Sequence, residues 1–380
     1  MTETPTLNWP RIIIQSSLIA TALLFVPFVL LVFLLVLKAT PFIQSFLTSA
    51  QLDHKVLISR IKSGWQQEPP IENGKYTLVA LGTDELPNRS DMPVMTDTIM
   101  FVSLDLSRGK LSTVTIPRDY WSDQFQTKIN SLYEYGRKQD STQPYTLLLQ
   151  ELSLLTPTKV QTVVAISPTK LMQLIDVLEG VEVEVPIGFT DSQFPRDDVD
   201  ITKERDPKKL YETVSFTPGP QILTGRQAMQ YMRSRHGTNG QNDDVARSQR
   251  QALVLQAIAR KLGSAETLRT PKRLAQLWQF YQQEYDASLS FETLVSLARY
   301  RINQVGWRGT IRATFSALSN FTVSQATIPI TRYDQVTRKI EPGILYNPPV
   351  QKHKYFGQWV YIATDSATLN TYITNKLNHD

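Results

Sequence analysis

Residues 76–117, YTLVALGTDELPNRSDMPVMTDTIMFVSLDLSRGKLSTVTIP, hold three short runs rich in β-branched and apolar residues. Tyr76–Gly82, Thr98–Asp105 and Leu111–Pro117 are each bounded by turn-forming residues, the pattern of strands. Ser107–Lys110 (SRGK) has the length and the glycine of a hairpin turn joining the second run to the third. Beyond this group the periodicity alternates. Tyr145–Leu155 is apolar at helical spacing, Val160–Ile166 is a strand, and Pro168–Leu178 is a helix stopped by Gly180. Val181–Val185 (VEVEV) alternates strictly and predicts a strand with one wet face. Strands alternating with helices predict an α/β sandwich, with helices laid on the faces of a sheet.

Farther along, Asp191–Lys209 is charge-rich and predicts a surface loop. Thr224–Gln227 (TGRQ) is a capping box opening a helix through Met232. Asp243 or Asp244 caps the next helix, which runs to Leu262 and stops at Gly263. Phe291–Ile302 reads as helix, Trp359–Thr364 as strand, and Ala367–Leu377 as a closing helix.

The chain has 380 residues, a net charge of +5, no cysteine and four histidines. The missing cysteines exclude thiol catalysis, disulfides and Cys-ligated zinc, and no paired-His spacing supplies another zinc site. Leu18–Leu37 (LIATALLFVPFVLLVFLLVL) is uncharged and, at ~1.5 Å per residue, long enough to cross a bilayer. Its apolar core is too long for a cleaved leader, and no A-x-A site follows. The expected division is a cytoplasmic N-terminus over 1–17, a transmembrane helix over 18–37 and a linker over 38–75 that ends in QQEPPIENG. A main domain follows over 76–262, and 263–380 extends that α/β domain or packs on it. Lys38, Lys55, Arg60 and Lys62 follow the span and run against the positive-inside rule for an external domain.

Gln230–Gln251 (QYMRSRHGTNGQNDDVARSQRQ) gathers Arg233, Arg235, Arg247 and Arg250 around one glycine-containing loop. Guanidinium groups crowded there repel one another unless an anion sits among them. Arg233 and Arg235 converge only if the helix unwinds near Arg233, and the HGTNG that follows suggests a flexible loop. In the next helix Asp244, Arg247 and Gln251 fall at i, i+3 and i+7, on one face. Thr115–Asp119 (TIPRD) puts Arg118 just past a strand, where α/β sheets bind ligands, with Lys128 close in sequence. Asp84 follows the first strand and Asp97 precedes the second. If those strands pair antiparallel, both carboxylates lie at one sheet end, where beside phosphates they suit Mg²⁺.

These stretches, in order, resemble the LytR-CpsA-Psr family: LVALGTD, TDTIMFVSLD, VTIPRDYW, KINSLYEYG, LIDVLEGVEVEVP, FTPGPQILTGRQAMQYMRSRH and DDVARSQRQ. The resemblance spans Tyr76 to Ile258, with a weaker tail to the C-terminus. It implies an α-β-α sandwich around a central mixed sheet, preceded by one transmembrane helix that leaves the catalytic domain outside the bacterial cytoplasmic membrane. The implied reaction transfers a glycan with its linking phosphate from a polyprenyl-pyrophosphate carrier to a peptidoglycan hydroxyl.

In this resemblance Arg118, Arg233, Arg235 and Arg247 match the family's pyrophosphate-gripping arginines. Asp84 and Asp97 match its metal-associated pair, holding Mg²⁺ or Mn²⁺, with Asp97 also catalytic. Lys128, Asp244 and Gln251 match further substrate-binding positions. The implied lipid tunnel would be lined partly from Leu147–Leu155 and Leu171–Leu178. One departure stands out: some members carry a further arginine about a turn past PRD, where this chain has Tyr120, Trp121 and Ser122. Arg137 and Lys138 are the candidates to replace it. The competing expectation is a non-catalytic envelope protein that binds lipid carriers or anionic glycopolymers. A nucleic-acid partner is disfavoured by the apolar segment, the modest charge and the lack of a helix-turn-helix.

Overall fold

The computed structural model describes residues 40–85, 92–196, 198–199, 204–242, 244–304, 323–334, 339–350 and 352–378. The expected N-terminal segment over 1–17 and membrane helix over 18–37 lie outside them. Among the described residues, no helix is long and apolar enough to cross a membrane.

The chain runs through α1 (Thr40–Ser49), α2 (His54–Gln66), β1 (Lys75–Thr83), β2 (Thr96–Asp105), β3 (Lys110–Ile116), α3 (Leu132–Gln139) and α4 (Thr146–Leu155). It continues with β4 (Thr162–Ile166), α5 (Pro168–Val177), β5 (Val181–Val185), β6 (Phe189–Pro195), β7 (Tyr211–Phe216) and β8 (Gly219–Leu223). Then come α6 (Gly225–Arg233), α7 (Asp244–Leu262), α8 (Pro271–Glu284), a helix over 291–304, β9 (Val323–Thr327) and α9 (Ser366–Asn378). The fold is mixed α/β and divides into two units. A sheet unit comprises 70–85, 91–167 and 322–380, and a helical unit takes the rest. The stretch 263–380, expected as part of the same α/β domain or an extension packed on it, contributes to both units.

In the sheet unit a mixed five-stranded sheet has the order β9-β3-β2-β1-β4. β2 runs antiparallel to both neighbours, whereas β1 with β4, and β3 with β9, are parallel. The β2–β3 turn forms where the glycine placed it. Asp105 Oδ1 accepts from the backbone N–H of Ser107 (3.0 Å) and Arg108 (2.8 Å), and Gly109 takes a left-handed φ of 69°. On one face Val79, Leu81, Ile99, Phe101, Val114 and Ile116 pack with Leu148, Leu152 and Leu155 of α4 and Leu369, Ile373 and Leu377 of α9. Each such side chain contributes roughly 1.5–3 kcal/mol by leaving water. Leu78, Met100 and Val102, on the opposite face, are buried as well, so both faces of the sheet are closed to solvent. The expected strand over 359–364 shrinks to Ile362–Ala363, paired with Leu345–Tyr346, plus a bridge from Tyr361 to Tyr120.

In the helical unit, β5 pairs with β8 and β6 with β7, both antiparallel. VEVEV buries its valines and exposes its glutamates, as the alternation requires. Thr224 and Gln227 form the reciprocal capping box of α6. Two expectations are corrected here. Within the stretch 38–75, expected as a linker, Thr40–Ser49 and His54–Gln66 fold into α1 and α2. Phe46 is fully buried, and Arg60 holds Glu292 with Nε and Nη2 (2.6 and 2.8 Å) and Asp286 with Nη2 (2.8 Å). The segment from Asp191, expected as a surface loop, begins inside β6 with Asp191 fully buried, because its carboxylate is surrounded by donors. Leu147–Leu155 and Leu171–Leu178 supply core residues to the sheet and helical units respectively: Leu148, Leu152 and Leu155 in the first, Leu171, Leu174, Ile175 and Leu178 in the second.

Candidate functional site

Asp84 follows β1, Asp97 is the second residue of β2 and Arg118 follows β3, so the strand directions bring all three to one end of the sheet. That is the carboxyl end of the parallel strands, where such sheets leave a crevice for ligands. Asp97 is the extra residue of a bulge, since Gly82 pairs with Thr98 and Thr83 with Thr96. A bulge redirects the side chain that it inserts. Pro117 ends β3, and the turn after it is closed by bonds from Tyr120 N–H to Pro117 O (2.9 Å) and from Asn130 N–H to Arg118 O (3.3 Å).

The charged groups there form an alternating chain. Arg118 Nη1 donates to Asp97 Oδ1 at 2.7 Å, and the two side chains remain 43% and 45% exposed. Arg118 Nε lies 3.5 Å from Asp119 Oδ2, while Asp119 Oδ1 accepts from Lys128 Nζ at 2.6 Å. Burial acts to lower the Arg118 pKa, but the bond and charge of Asp97 with those of Asp119 outweigh it and hold the group above its ordinary value. Asp84 uses Oδ1 to accept the Met95 N–H at 2.7 Å and donates its own N–H to Met95 O at 3.0 Å, closing the loop into β2.

Among the described residues no group of three or more His, Cys, Asp and Glu gathers to hold a metal. Two carboxylates at one sheet end fit a hard cation that keeps its waters and completes its shell with phosphate oxygens, and do not fit a cage of protein ligands. Arg137 and Lys138, the candidates to replace a missing arginine, are both engaged by the buried Glu134. Arg137 reaches it at 2.7 and 3.0 Å and Lys138 at 3.2 Å, and Glu134 also accepts the Val94 N–H at 3.2 Å. Trp121 and Ser122 are buried, with Ser122 Oγ donating to the buried Glu151. At the departure past PRD, these side chains thus serve packing.

In the helical unit α6 ends at Arg233, the break on which a convergence of Arg233 and Arg235 depends. The cause is Asp191. Its Oδ2 accepts from Ser234 Oγ and from the N–H of Arg235 (3.2 Å) and His236 (3.1 Å), and its Oδ1 from Gln193 N–H (2.9 Å). These donors compete with helix continuation and turn the chain. Arg233 lies over the Phe194 ring, 5.7 Å from its centroid, and Arg235 is exposed. Arg247 and Gln251 are half-buried on α7, which begins at Asp244; Asp243 lies outside the described residues.

Arg250 departs from its expected place among the anion-facing groups. It is 1% exposed and donates to backbone carbonyls of Tyr231 (2.7 Å), Gln241 (3.0 Å) and Ser234, lying 4.9 Å from the Phe189 ring centroid. The loop it holds, expected to be flexible, is pinned. Thr238 N–H donates to Thr190 O (3.1 Å), and Asn239 Nδ2 to Gly188 O (2.7 Å). A Cβ at Gly237 would meet the Phe189 ring at 2.8 Å, so only glycine fits there. Asp119 and Asp191 were not singled out from the sequence. Asp119 carried a signal, standing beside Arg118 in PRD, whereas Asp191 lies in a polar stretch that conceals it.

Residues 42–335 match the LytR_cpsA_psr family. The regulatory protein MsrR of Staphylococcus aureus (strain COL) is 26% identical over 205 residues, covering 52% of this chain and 53% of that protein. The chain thus spans about half the length of the curated relatives it matches. Among solved structures, B. subtilis TagV overlaps with a TM-score of 0.48 at 14% identity, covering 82% of this chain and 100% of that one. The family protein YwtF (TagT) with bound octaprenyl pyrophosphate lipid overlaps at 0.43 with 15% identity, covering 83% and 95%.

Proposed function

Because the chain belongs to the LytR_cpsA_psr family, we propose that it is a glycopolymer phosphotransferase of the bacterial envelope. It takes a glycan with its linking phosphate from a polyprenyl-pyrophosphate carrier and joins it to a cell-wall hydroxyl, in peptidoglycan. The proposal includes an α-β-α sandwich and an anchor over 18–37 that leaves the domain outside the cytoplasmic membrane. The observation that carries it is the Asp97–Arg118–Asp119–Lys128 chain at the carboxyl end of the parallel strands.

Arg118 is exposed enough to exchange Asp97 for a phosphate, which its fork grips through two oxygens. Lys128, beside Asp119, adds a compact positive charge. Arg233, Arg235 and Arg247 are assigned phosphate oxygens as well, and Gln251 and Asp244 supporting contacts, on the family resemblance. The acceptor oxygen attacks the phosphorus that bears the glycan, and the bond to the bridging oxygen breaks. Polyprenyl phosphate leaves, and the hydroxyl proton passes to Asp97, released from Arg118. Mg²⁺ or Mn²⁺ held by Asp97 with Asp84 would supply charge neutralisation for the phosphates.

The test is transfer of a lipid-linked glycan phosphate to peptidoglycan by purified protein, with and without chelator. Arg118→Ala should lose about one to two decades of rate, since each charge-assisted contact contributes roughly 1.5–3 kcal/mol. Arg118→Lys should recover little, and Asp97→Ala should abolish both turnover and metal dependence. Wild-type transfer in both alanine variants would refute the mechanism. Lipid binding without any transfer would leave the non-catalytic carrier-binding protein.

A further inference from the structure

The proposed reaction needs the acceptor sugar held beside the phosphate, and the charged groups at the sheet end grip the phosphate and take the hydroxyl proton without holding the sugar rings. Next to them in the sheet unit lies an aromatic surface that the transfer chemistry does not use. Phe356 is 64% exposed and Trp359 46% exposed. Trp359 meets Tyr361 edge-on at 4.6 Å, and Phe356 leans on the buried Trp121 at 6.2 Å. The surface is fastened to the segment after Arg118: Tyr361 N–H donates to Asp119 O at 2.9 Å, and Trp121 N–H to Tyr361 O at 2.8 Å. Asp119 is the same residue whose carboxylate holds Lys128 and approaches Arg118.

The backbone at the tip is unusual. Gln358 N–H closes a turn onto Tyr355 O at 2.8 Å, with φ of 50° at Phe356 and 74° at Gly357. Two left-handed central residues make a turn that favours Asn and Gly. A bulky aromatic ring in that position is strained, and such strain concentrates at binding sites. Here the strained residue presents its ring to solvent.

We infer that Phe356, Trp359 and Tyr361 are a stacking platform for the sugar rings of the acceptor glycan, which rests on the transferase function proposed above. The C–H face of a pyranose is apolar and carries partly positive hydrogens that the negative face of an aromatic ring attracts, while the hydroxyls at its rim stay in water. Residues 350–361, VQKHKYFGQWVY, contain two lysines and a histidine and no acid, which suits a strand bearing carboxylates. A basic aromatic patch also suits an anionic membrane. The backbone bonds to Asp119 and Trp121 favour the glycan, because an acceptor hydroxyl has to reach the phosphate that Arg118 holds.

The experiment is calorimetric titration of the full-length protein, in detergent micelles, with soluble peptidoglycan strands stripped of secondary polymer. Trp359→Ala and Phe356→Ala should each weaken binding by roughly fivefold to tenfold, and Trp359→Phe should recover most of it. In the transfer assay the same variants should raise KM for the acceptor with little change in kcat or in affinity for the lipid donor. Wild-type affinity for the strands in both alanine variants overturns the platform, as does a wild-type protein that binds no strands. Loss of co-sedimentation with phosphatidylglycerol vesicles in Trp359→Ala, with strand binding intact, also overturns it and makes the patch a membrane contact. A protein that binds strands through Trp359 but transfers nothing would sink the transferase function while leaving the platform standing.

Discussion

Two buried carboxylates, Asp191 and Glu151, have their acidities pushed in opposite directions. For Asp191, burial acts to raise the pKa, but the Ser234 hydroxyl and three backbone N–H groups outweigh it and hold the group below the usual carboxylate range. A depressed folded-state value means that its stabilisation is present above the unfolded value, ~3.9, and is lost as pH falls through the folded one. Asp191→Asn should cost about 2 kcal/mol near neutral pH. It should also slow transfer, because the turn it anchors sets the positions of Arg233 and Arg235. Denaturant titrations of both proteins at pH 7 and pH 3 check this, and the gap between them should narrow at the lower pH. Glu151 is raised, chiefly by burial, with the Ser122 bond opposing and Asp123 reinforcing. That raised value favours the neutral form, so stability is full below the ordinary glutamate value and declines as pH rises through the folded one. Glu151→Gln keeps the shape without the charge and should raise Tm at pH 8 by roughly 2–4 °C. A Tm at or below that of the wild type would contradict it. At this scale the sequence shows Arg118, Asp97 and Lys128, because a charge just past or at the start of a strand has a predictable address. Asp191 has none, since its donors on Arg235 and His236 lie 44 and 45 residues away.

The joint between α6 and α7 is a device of a different size. Arg250 sits on α7, yet its guanidinium ties down Tyr231 and Ser234 at the end of α6 and Gln241 in the loop between. Arg250→Lys keeps the charge but loses the fork, leaving buried carbonyls without donors at about 1–3 kcal/mol. Hydrogen exchange should then accelerate over 234–241 while β1 and β2 stay protected, and exchange unchanged across that loop would contradict the assignment. Elements of this kind differ in how openly they are written. β5 is legible because strict alternation has one reading, and α6 because a capping box names its first residue. β6 (FTDSQFP) is hidden: Asp191 points inward, so the polar letter at its third position breaks the expected pattern. α1 and α2 carry apolar residues (Phe42, Ile43, Phe46 and Leu47; Val56, Leu57, Ile58 and Ile61), but the Pro/Gly signal at 69–74 drew the linker boundary over two packed helices.

Across the whole chain, the sheet unit is assembled from separated segments, and its last strand comes late. β9 (VSQAT) pairs with β3 in parallel, from Val323 opposite Leu111 to Thr327 opposite Thr115. Nothing local announces this strand, because its small polar residues match no strand template; only the partner makes it one. α9 was legible as a helix but not as the cover of a sheet that begins near residue 75. Removing Ser366–Asp380 takes Leu369, Ile373 and Leu377 out of the sheet-unit core. The truncated protein should therefore be cleaved rapidly by protease within 92–167, whereas full-length protein resists, and equal resistance would show that the helix is dispensable. The same arrangement has a consequence in time. Between the emergence of β3 and that of β9, a ribosome working at roughly 5–20 residues per second needs on the order of 10–40 s. Throughout that interval the nascent chain carries an unpaired row of N–H and C=O groups along β3, open to the wrong strand or to a neighbouring copy. The hazard to this protein thus peaks before its synthesis is finished, and slower elongation lengthens the exposure.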